Sequence, residues 1–317
     1  MAEPAVAQPE VEASAADPAR AHEHRTSDSA PAFDRPDRGL RVIEAPSPGI
    51  RKWASEYWRW RPAIQYYLIH FLRKRYGRTF LGYIWLFLPI VLPLLLSSLV
   101  FGGILGVSIP GVPYFLYFTI TSGIWALFAG TAYYSTRSLE ITRGNLRKTY
   151  VPRLVPWSAA FSMPTLTFAV YGVIGTGTVM YYVLAKGKFY LDIRPATLLA
   201  PVAVVMLVVF ALAVGLWFSP TAPRARDVRR LAGYVLSMWY LITPVIYPIE
   251  KIPSGYRFLA ELNPITAPVE MFKSALINTG EVTATSLIAW AVGLVLLGTI
   301  GLRMFLVKER RDLAWYY

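Results

Sequence analysis

The chain has 317 residues, 55% of them hydrophobic and only 16% charged, with a mean hydropathy of +0.41, against the roughly 25% charge of a soluble domain. Its formal net charge of +13 would suggest nucleic acid in a soluble chain, but these cations sit in short loops beside apolar spans. There they orient a polytopic membrane protein and meet anionic lipid, so membrane lipid is an expected partner and nucleic acid is not. With zero cysteines and three scattered histidines (His22, His24, His70), disulfides, thiolate metal sites and a histidine metal cluster are excluded.

Residues 1–48 are rich in Ala, Pro, Asp and Glu and lack the apolar run of a signal peptide, which predicts a disordered cytoplasmic tail. From 50 to 78, apolar residues recur at helical spacing (Trp53, Tyr57, Trp60, Ile64, Tyr67, Leu68, Phe71, Leu72) with arginines and lysines between them. That pattern predicts an amphipathic helix lying in the membrane interface, with Pro62 as a potential break. A cytosolic helix packed on a partner is the alternative. Arg73 to Trp85 then places four cations in six residues directly before uncharged sequence, the mark of the cytoplasmic mouth of a transmembrane helix.

Six apolar segments follow, at about 80–105, 113–136, 156–185, 195–218, 231–249 and 283–305. Each is close to or above the roughly 20 residues that a hydrocarbon core requires. The expected fold is all-α and polytopic, with a six-helix transmembrane domain over 79–307 and a cytoplasmic C-terminus at 308–317. One set of flanks holds 21 Lys and Arg and the other set six, which puts both termini in the cytoplasm. The 250–282 loop has apolar runs too short to cross, cut by Pro253, Pro264 and Pro268. Two amphipathic stretches in it, at 256–262 and 266–277, read as re-entrant helices dipping into the outer leaflet, or as an ordinary extracellular loop.

The span interiors contain no Asp, Glu, Lys, Arg or His. Ion-coupled transport and membrane-embedded acid-base catalysis usually need such groups, so both are disfavoured. The spans carry aromatics instead. Tyr83, Trp85, Phe87, Tyr117, Trp125 and Trp239 are candidates to line a path for a neutral glycan, because rings stack on sugar faces while their polar edges hydrogen-bond; lipid-facing bulk is the competing reading.

Four stretches carry a resemblance: RKRYGRTFLGYIWLFLPIVLPLL; GIWALFAG with GNLRKTYVPRLVPW; PRARDVRRL; and TPVIYPIEKIP with LNPITAPVEMFKSAL. In this order they resemble the polysaccharide-exporter branch of the ABC-2 type permeases, the membrane subunits that export O-antigen, teichoic acid and capsular glycans. Departures are the long acidic tail and Gly77, where many relatives have a polar residue.

The resemblance implies a permease subunit of an ABC exporter in the cytoplasmic (inner) membrane, not itself an enzyme. It implies pairing with a second copy of itself and with two nucleotide-binding ATPase subunits that hold ATP and magnesium. No phosphate-cradling G-x-x-x-x-G-K-[ST] loop occurs in this chain, and no cofactor on it is implied. Arg143, Asn145, Leu146, Arg147, Lys148 and Tyr150, with Arg226 and Asp227, would couple to the ATPase. The substrate implied is a polyprenyl-diphosphate-linked glycan, and Arg73, Lys74, Arg75 and Arg78 would contact its diphosphate or serve as a positive-inside anchor. Tyr247, Pro248, Asn263 and Pro264 fall where the family places its periplasmic gate, and turn chemistry is the other reading. An ABC-2 exporter of a drug, lipid or other small molecule is the alternative function.

Overall fold

The computed structural model describes residues 80–138, 161–219 and 226–316, together with Pro62, Gln65, Tyr66, Ile69 and Arg73. Those five positions are helical and exposed. The rest of the expected interfacial helix, the 1–48 tail and residues 139–160, which include the start of the third expected span, lie outside the described residues. Among the described residues every regular element is a helix.

Helix α1 (Ile84–Ser97) carries Pro89 and Pro93 inside it and passes into a wider π-helical run, Ser98–Ile104. A proline removes an N–H donor and crowds the carbonyl one turn back, and a widened turn is a common way of absorbing that misfit. Its C-terminal end is bound to the next helix by a close approach, since a Cβ on Gly102 would sit 3.1 Å from the Tyr114 Cβ. Helix α2 (Tyr114–Thr136) is buried on nearly every side and is the mast of the fold. Three of its hydroxyls are satisfied within the helix: Thr119 donates to the Phe115 carbonyl at 2.7 Å, Ser135 to Thr131 at 2.6 Å and Thr136 to Ala132 at 2.8 Å. Back-bonding of this kind lets Ser and Thr sit inside a bundle without an unpaired group.

Helix α3 (Ser162–Lys186) stops at Gly187, whose φ of 63° closes the last turn, with the Gly187 N–H bonded to the Val183 carbonyl at 3.0 Å. A short 3-10 turn, Pro195–Leu198, leads into α4 (Leu199–Phe218). Helices α3 and α4 pack on α2, and α4 also packs on the last helix, α8 (Ala284–Tyr316). Indole N–H groups join that pair, with Trp290 donating to the Met206 carbonyl at 3.3 Å and Trp217 to the Met304 sulfur at 3.4 Å. Helix α8 runs unbroken to Tyr316, so no change of structure marks residue 307.

Helix α5 (Arg226–Ile242) ends just before Thr243-Pro244, where proline disfavours a helical residue ahead of it. A 3-10 turn, Ile249–Lys251, precedes α6 (Ser254–Leu262) and α7 (Thr266–Ile277). At nine and 12 residues these two are too short to span a hydrocarbon core of about 30 Å. They differ in environment: α6 exposes Tyr256, Phe258, Leu259 and Leu262, whereas α7 is buried along its length against α4 and α2.

Six crossing helices were expected, and among the described residues five are long and apolar enough: Ile84–Ile104, Tyr114–Thr136, Ser162–Lys186, Pro195–Phe218 and Ala284–Met304. The exception is α5, which has 17 residues and spends its first turn and a half on Arg226, Asp227, Arg229 and Arg230. Its apolar part is cut short by Pro244.

Packing of α4 on α2 depends on Gly215, because a Cβ there would overlap the Ser135 side chain. Gly215→Val is expected to cost about 1–3 kcal/mol through overpacking. Gly172→Ala, with open space at its Cβ, is expected to stay within about 0.5 kcal/mol. Thermal unfolding midpoints of the two purified variants in detergent check the contrast.

Candidate functional site

Two features stand out, a polar knot at one end of the bundle and a groove along its flank. The knot is built from α7. Glu270 and Lys273 lie one turn apart on it, with side chains only 0% and 1% exposed, and the Lys273 ammonium donates to Glu270 Oε1 at 2.5 Å. The same ammonium lies 3.4 Å from the Tyr117 hydroxyl of α2 and 3.4 Å from the Pro244 carbonyl, and 5.5 Å from the centre of the Tyr117 ring. Burial raises the Glu270 carboxyl above its ordinary range, and the lysine beside it pulls the other way. The chain passes over this carboxylate at Gly280 (φ 118°), where a Cβ would come within 2.6 Å of Oε2. Only glycine combines that backbone angle with that clearance.

Asn263, at the α6–α7 junction, is the second centre of the knot. Its side-chain oxygen accepts from the Trp239 indole at 2.9 Å and from the Ile265 N–H at 3.1 Å, while its amide nitrogen donates to the Thr243 hydroxyl at 2.9 Å. The irregular backbone between α5 and α6 is held from α2 as well, by Thr121 donating to the Val245 carbonyl and Tyr114 to the Ile246 carbonyl, each at 2.8 Å. Backbone that leaves helical pairing inside an apolar bundle needs such partners. The α3–α4 connection joins the same end: the Asp192 N–H donates to the Leu276 carbonyl at 2.9 Å, and Arg194, paired with Asp192 at 2.9 Å, donates to the Ser274 carbonyl at 3.0 Å.

The groove runs between α1, α2, α3 and α5, with a volume of about 460 Å³. Its lining includes Trp125, Tyr171 and Tyr240 together with Ser97, Ser122 and Ser237. Aromatic faces interleaved with hydroxyls suit a ligand that is apolar on its faces and polar at its edges. Behind it stands an aromatic cluster, with Trp125 5.4 Å from Tyr240 and 5.3 Å from Phe128, and Phe128 in T-shaped contact with Trp239 at 5.6 Å.

The six aromatics named as a path from sequence do not lie together. Tyr83, Trp85 and Phe87 are exposed at the start of α1, Tyr117 is buried beneath Lys273, Trp239 is committed to Asn263, and Trp125 lines the groove. Of the residues named for a gate, Asn263 is central to the knot, Pro248 is buried, and Tyr247 donates to the Leu241 carbonyl at 2.6 Å. Pro264 packs near Gly293 of α8. Arg143, Asn145, Leu146, Arg147, Lys148 and Tyr150 lie outside the described residues, as do Lys74, Arg75, Arg78 and the Arg226 side chain. Asp227 is exposed in the first turn of α5. Sequence reasoning missed Glu270 and Lys273; the signal was an acid and a base three residues apart within an otherwise apolar 12-residue helix.

A family model described as ABC-2 type transporter matches residues 63–277, more than half of the chain. The chain belongs to the ABC-2 type transporter family. Within curated proteins this membrane domain is similar to the O-antigen export system permease protein RfbA of Myxococcus xanthus, 25% identical over 208 residues that cover 64% of this chain and 75% of the relative. It is 24% identical to an O-antigen export system permease protein RfbA of Klebsiella pneumoniae over 247 residues, 73% of this chain and 89% of the relative. The polysialic acid transport protein KpsM of Escherichia coli is 22% identical over 246 residues, 77% and 92% of the two chains. The family match ends where α7 ends, so the groove and, apart from the Gly280 turn, the knot fall inside the ABC-2 domain.

Removing one member of the buried pair, as in Lys273→Met, is expected to destabilise the permease by about 3–5 kcal/mol, because it strands the other charge. Glu270→Leu combined with Lys273→Met recovers most of that loss, and unfolding midpoints of the single and double variants measure the difference. Asn263→Leu leaves the Trp239 indole and the Ile265 N–H without their acceptor. A loss of about 2–4 kcal/mol follows from two unmet polar groups, read in the same unfolding assay.

Proposed function

We propose that this chain is the permease subunit of an ABC exporter that moves a lipid-linked polysaccharide across the cytoplasmic membrane, powered by ATP hydrolysis on a partner subunit. The observation that carries the proposal is the set of matched relatives, which are named for O-antigen export and for polysialic acid transport and are covered over 75–92% of their length by the matches cited. The aromatic and hydroxyl groove supports the same reading, since it suits sugar rings better than ions or compact apolar drugs.

In this reading α5 makes the fifth of six passes, its charged first turns standing in the cytoplasmic headgroup layer and its passage completed by the 243–248 segment. Both termini are cytoplasmic, the 50–78 segment lies in the interface, and α6 and α7 re-enter from the outer side. Two copies face each other with the α1–α5 flank toward the conduit, and the cytoplasmic loops at 140–153 and 222–231 dock on two ATPase subunits. Tyr247, Pro248, Asn263 and Pro264 stand at the outer gate, braced by the Glu270–Lys273 pair. Arg73, Lys74, Arg75 and Arg78 meet lipid diphosphate on the cytoplasmic side.

Deletion of the gene in its own host is expected to abolish surface polysaccharide and to trap lipid-linked glycan inside, with both reversed by the parent gene. An ATPase subunit is expected to co-purify with the tagged permease and to be lost when Arg143, Arg147, Lys148, Arg226 and Asp227 are charge-reversed. Unchanged surface polysaccharide, with a small molecule accumulating in the deletion strain instead, would establish the drug or lipid exporter in its place.

A further inference from the structure

We infer that the chain holds one anionic phospholipid of the outer leaflet, with its acyl chain in a cavity between α2, α3 and α7 and its head group on Lys186 and Lys188. The leaflet assignment rests on the orientation proposed above, and the occupant is a resident lipid rather than the exported molecule. The cavity measures about 360 Å³, and its lining includes Leu116 and Ile120 of α2, Val179 of α3, Phe189 beyond it, and Phe272 and Leu276 of α7. None of the lining residues is charged, and the Thr119 hydroxyl in its wall is spent on the Phe115 carbonyl at 2.7 Å. Such a space suits an apolar chain better than a polar molecule.

The cavity exists because α2 and α3 meet closely along only part of their length. A Cβ on Gly130 would lie 3.0 Å from the Pro164 Cβ, and one on Gly123 would lie 2.9 Å from the Tyr171 Cβ, so glycines draw the two helices together there. Toward Leu116 and Val179 they stand further apart: a Cβ on Gly175 would find its nearest neighbour, Thr119, at 3.9 Å, and one on Gly172 would meet nothing. The lining residues Gly172 and Thr176 are exposed, so the cavity opens on the flank of α3, a helix with most of its surface uncovered. In a bilayer that flank meets lipid tails.

Charge at one end of the cavity selects the head group. Phe189 lines the cavity and is 56% exposed, and its neighbour Lys188 is exposed as well. Lys186 stands just before the Gly187 cap, its ammonium 5.3 Å from the centre of the Tyr182 ring, and that ring meets Tyr190 edge-on at 5.2 Å. The 25 residues of α3 measure about 37 Å, longer than the hydrocarbon core, which leaves these groups at headgroup depth. Lys and Arg are scarce on outer flanks, so a cation left there needs a separate reason. Of the six on the flanks read as outer, Arg194 is paired with Asp192, Arg257 with Glu261 and Glu281, and Lys273 with Glu270. Lys186, Lys188 and Lys251 have no carboxylate partner among the described residues, and two of these three stand together at the Phe189 end of the cavity. An anionic phosphate there meets two ammonium groups, while its chain has an apolar space beside it. Tyr171 lines both this cavity and the aromatic groove, so a seated chain bears on a side chain of the groove wall.

The test uses the full-length permease in phosphatidylcholine nanodiscs doped with phosphatidylglycerol that carries a photoreactive diazirine in its acyl chain, and mass spectrometry locates the crosslinked peptides. Crosslinking is expected to saturate with probe fraction and to concentrate in the cavity segments of α2, α3 and α7. It should exceed the level on the exposed face of α8 at Ile288, Val292 and Val295, which reports unselected lipid. Thr176→Trp, at an exposed position of the lining, fills the cavity and brings its crosslinking down to the α8 level. Lys186→Gln combined with Lys188→Gln lowers it about tenfold, the scale of two cations beside an anionic head, and removes the preference over a phosphatidylcholine probe with the same chain. All of these side chains are exposed, and variants are compared only where they elute and unfold as the parent does. The inference is overturned if the parent's cavity segments crosslink no more than α8, if the two probes mark them equally, or if protein crosslinks show a second copy covering this flank. No ATP, ATPase or glycan enters this assay, so its failure and the failure of the export reading are told apart.

Discussion

Among the described residues the structure depends on one buried charge pair. Glu270 and Lys273 lie inside the bundle on a helix too short to cross a membrane, and the only way to keep both ionised groups there is to hold them against each other and against polar atoms of neighbouring elements. The ammonium meets those needs through the Tyr117 hydroxyl and the Pro244 carbonyl, which belong to the central helix and to the break after α5. Neither charge can shift toward lipid without losing its partner. Helix α7 is thereby docked, and with it the break after α5, the Asn263 junction and the Gly280 turn. What begins as an electrostatic constraint becomes a geometric one.

That constraint explains why the groove has one firm side. Helix α2 is enclosed on nearly every face, with the Ser135 and Thr136 hydroxyls turned back on its own carbonyls, so its position is fixed by packing rather than by exposed polar contacts. Trp125 and Tyr240 are locked by the aromatic cluster behind them. A binding surface built on such elements keeps its shape when a mobile ligand arrives, which lowers the ordering cost of binding.

Much of the helix layout was legible in the sequence, because a long apolar run is a local property and needs no knowledge of neighbours. The short helices at 254–262 and 266–277 were legible for the same reason, from prolines and periodicity. Environment was not. Helix α2 is apolar all round, so nothing in its sequence tells Tyr117, buried at the knot, from Trp125, at the edge of the groove; tertiary packing decides between them. The absence of charge from the span interiors pointed away from buried ions, yet the ion pair stands just outside those spans, in a helix short enough to escape the search for them. Asn263 was picked out through a motif, while its role as a three-way junction required the fold.

The two prolines and π-helical run of α1 have a mechanical corollary. Only Ile90 and Leu94 of its α-helical part are buried, so separating that helix from the bundle in water would cost about 3–6 kcal/mol at the usual worth of two aliphatic side chains. In a bilayer even this is an upper bound, because lipid tails replace protein contacts without a hydrophobic penalty. An energy of that size is within what the binding of a partner or ligand supplies. The width of the groove is therefore a compliant dimension, stiff on the α2 side and yielding on the α1 side, and its calibre can be set by whatever presses on the bundle.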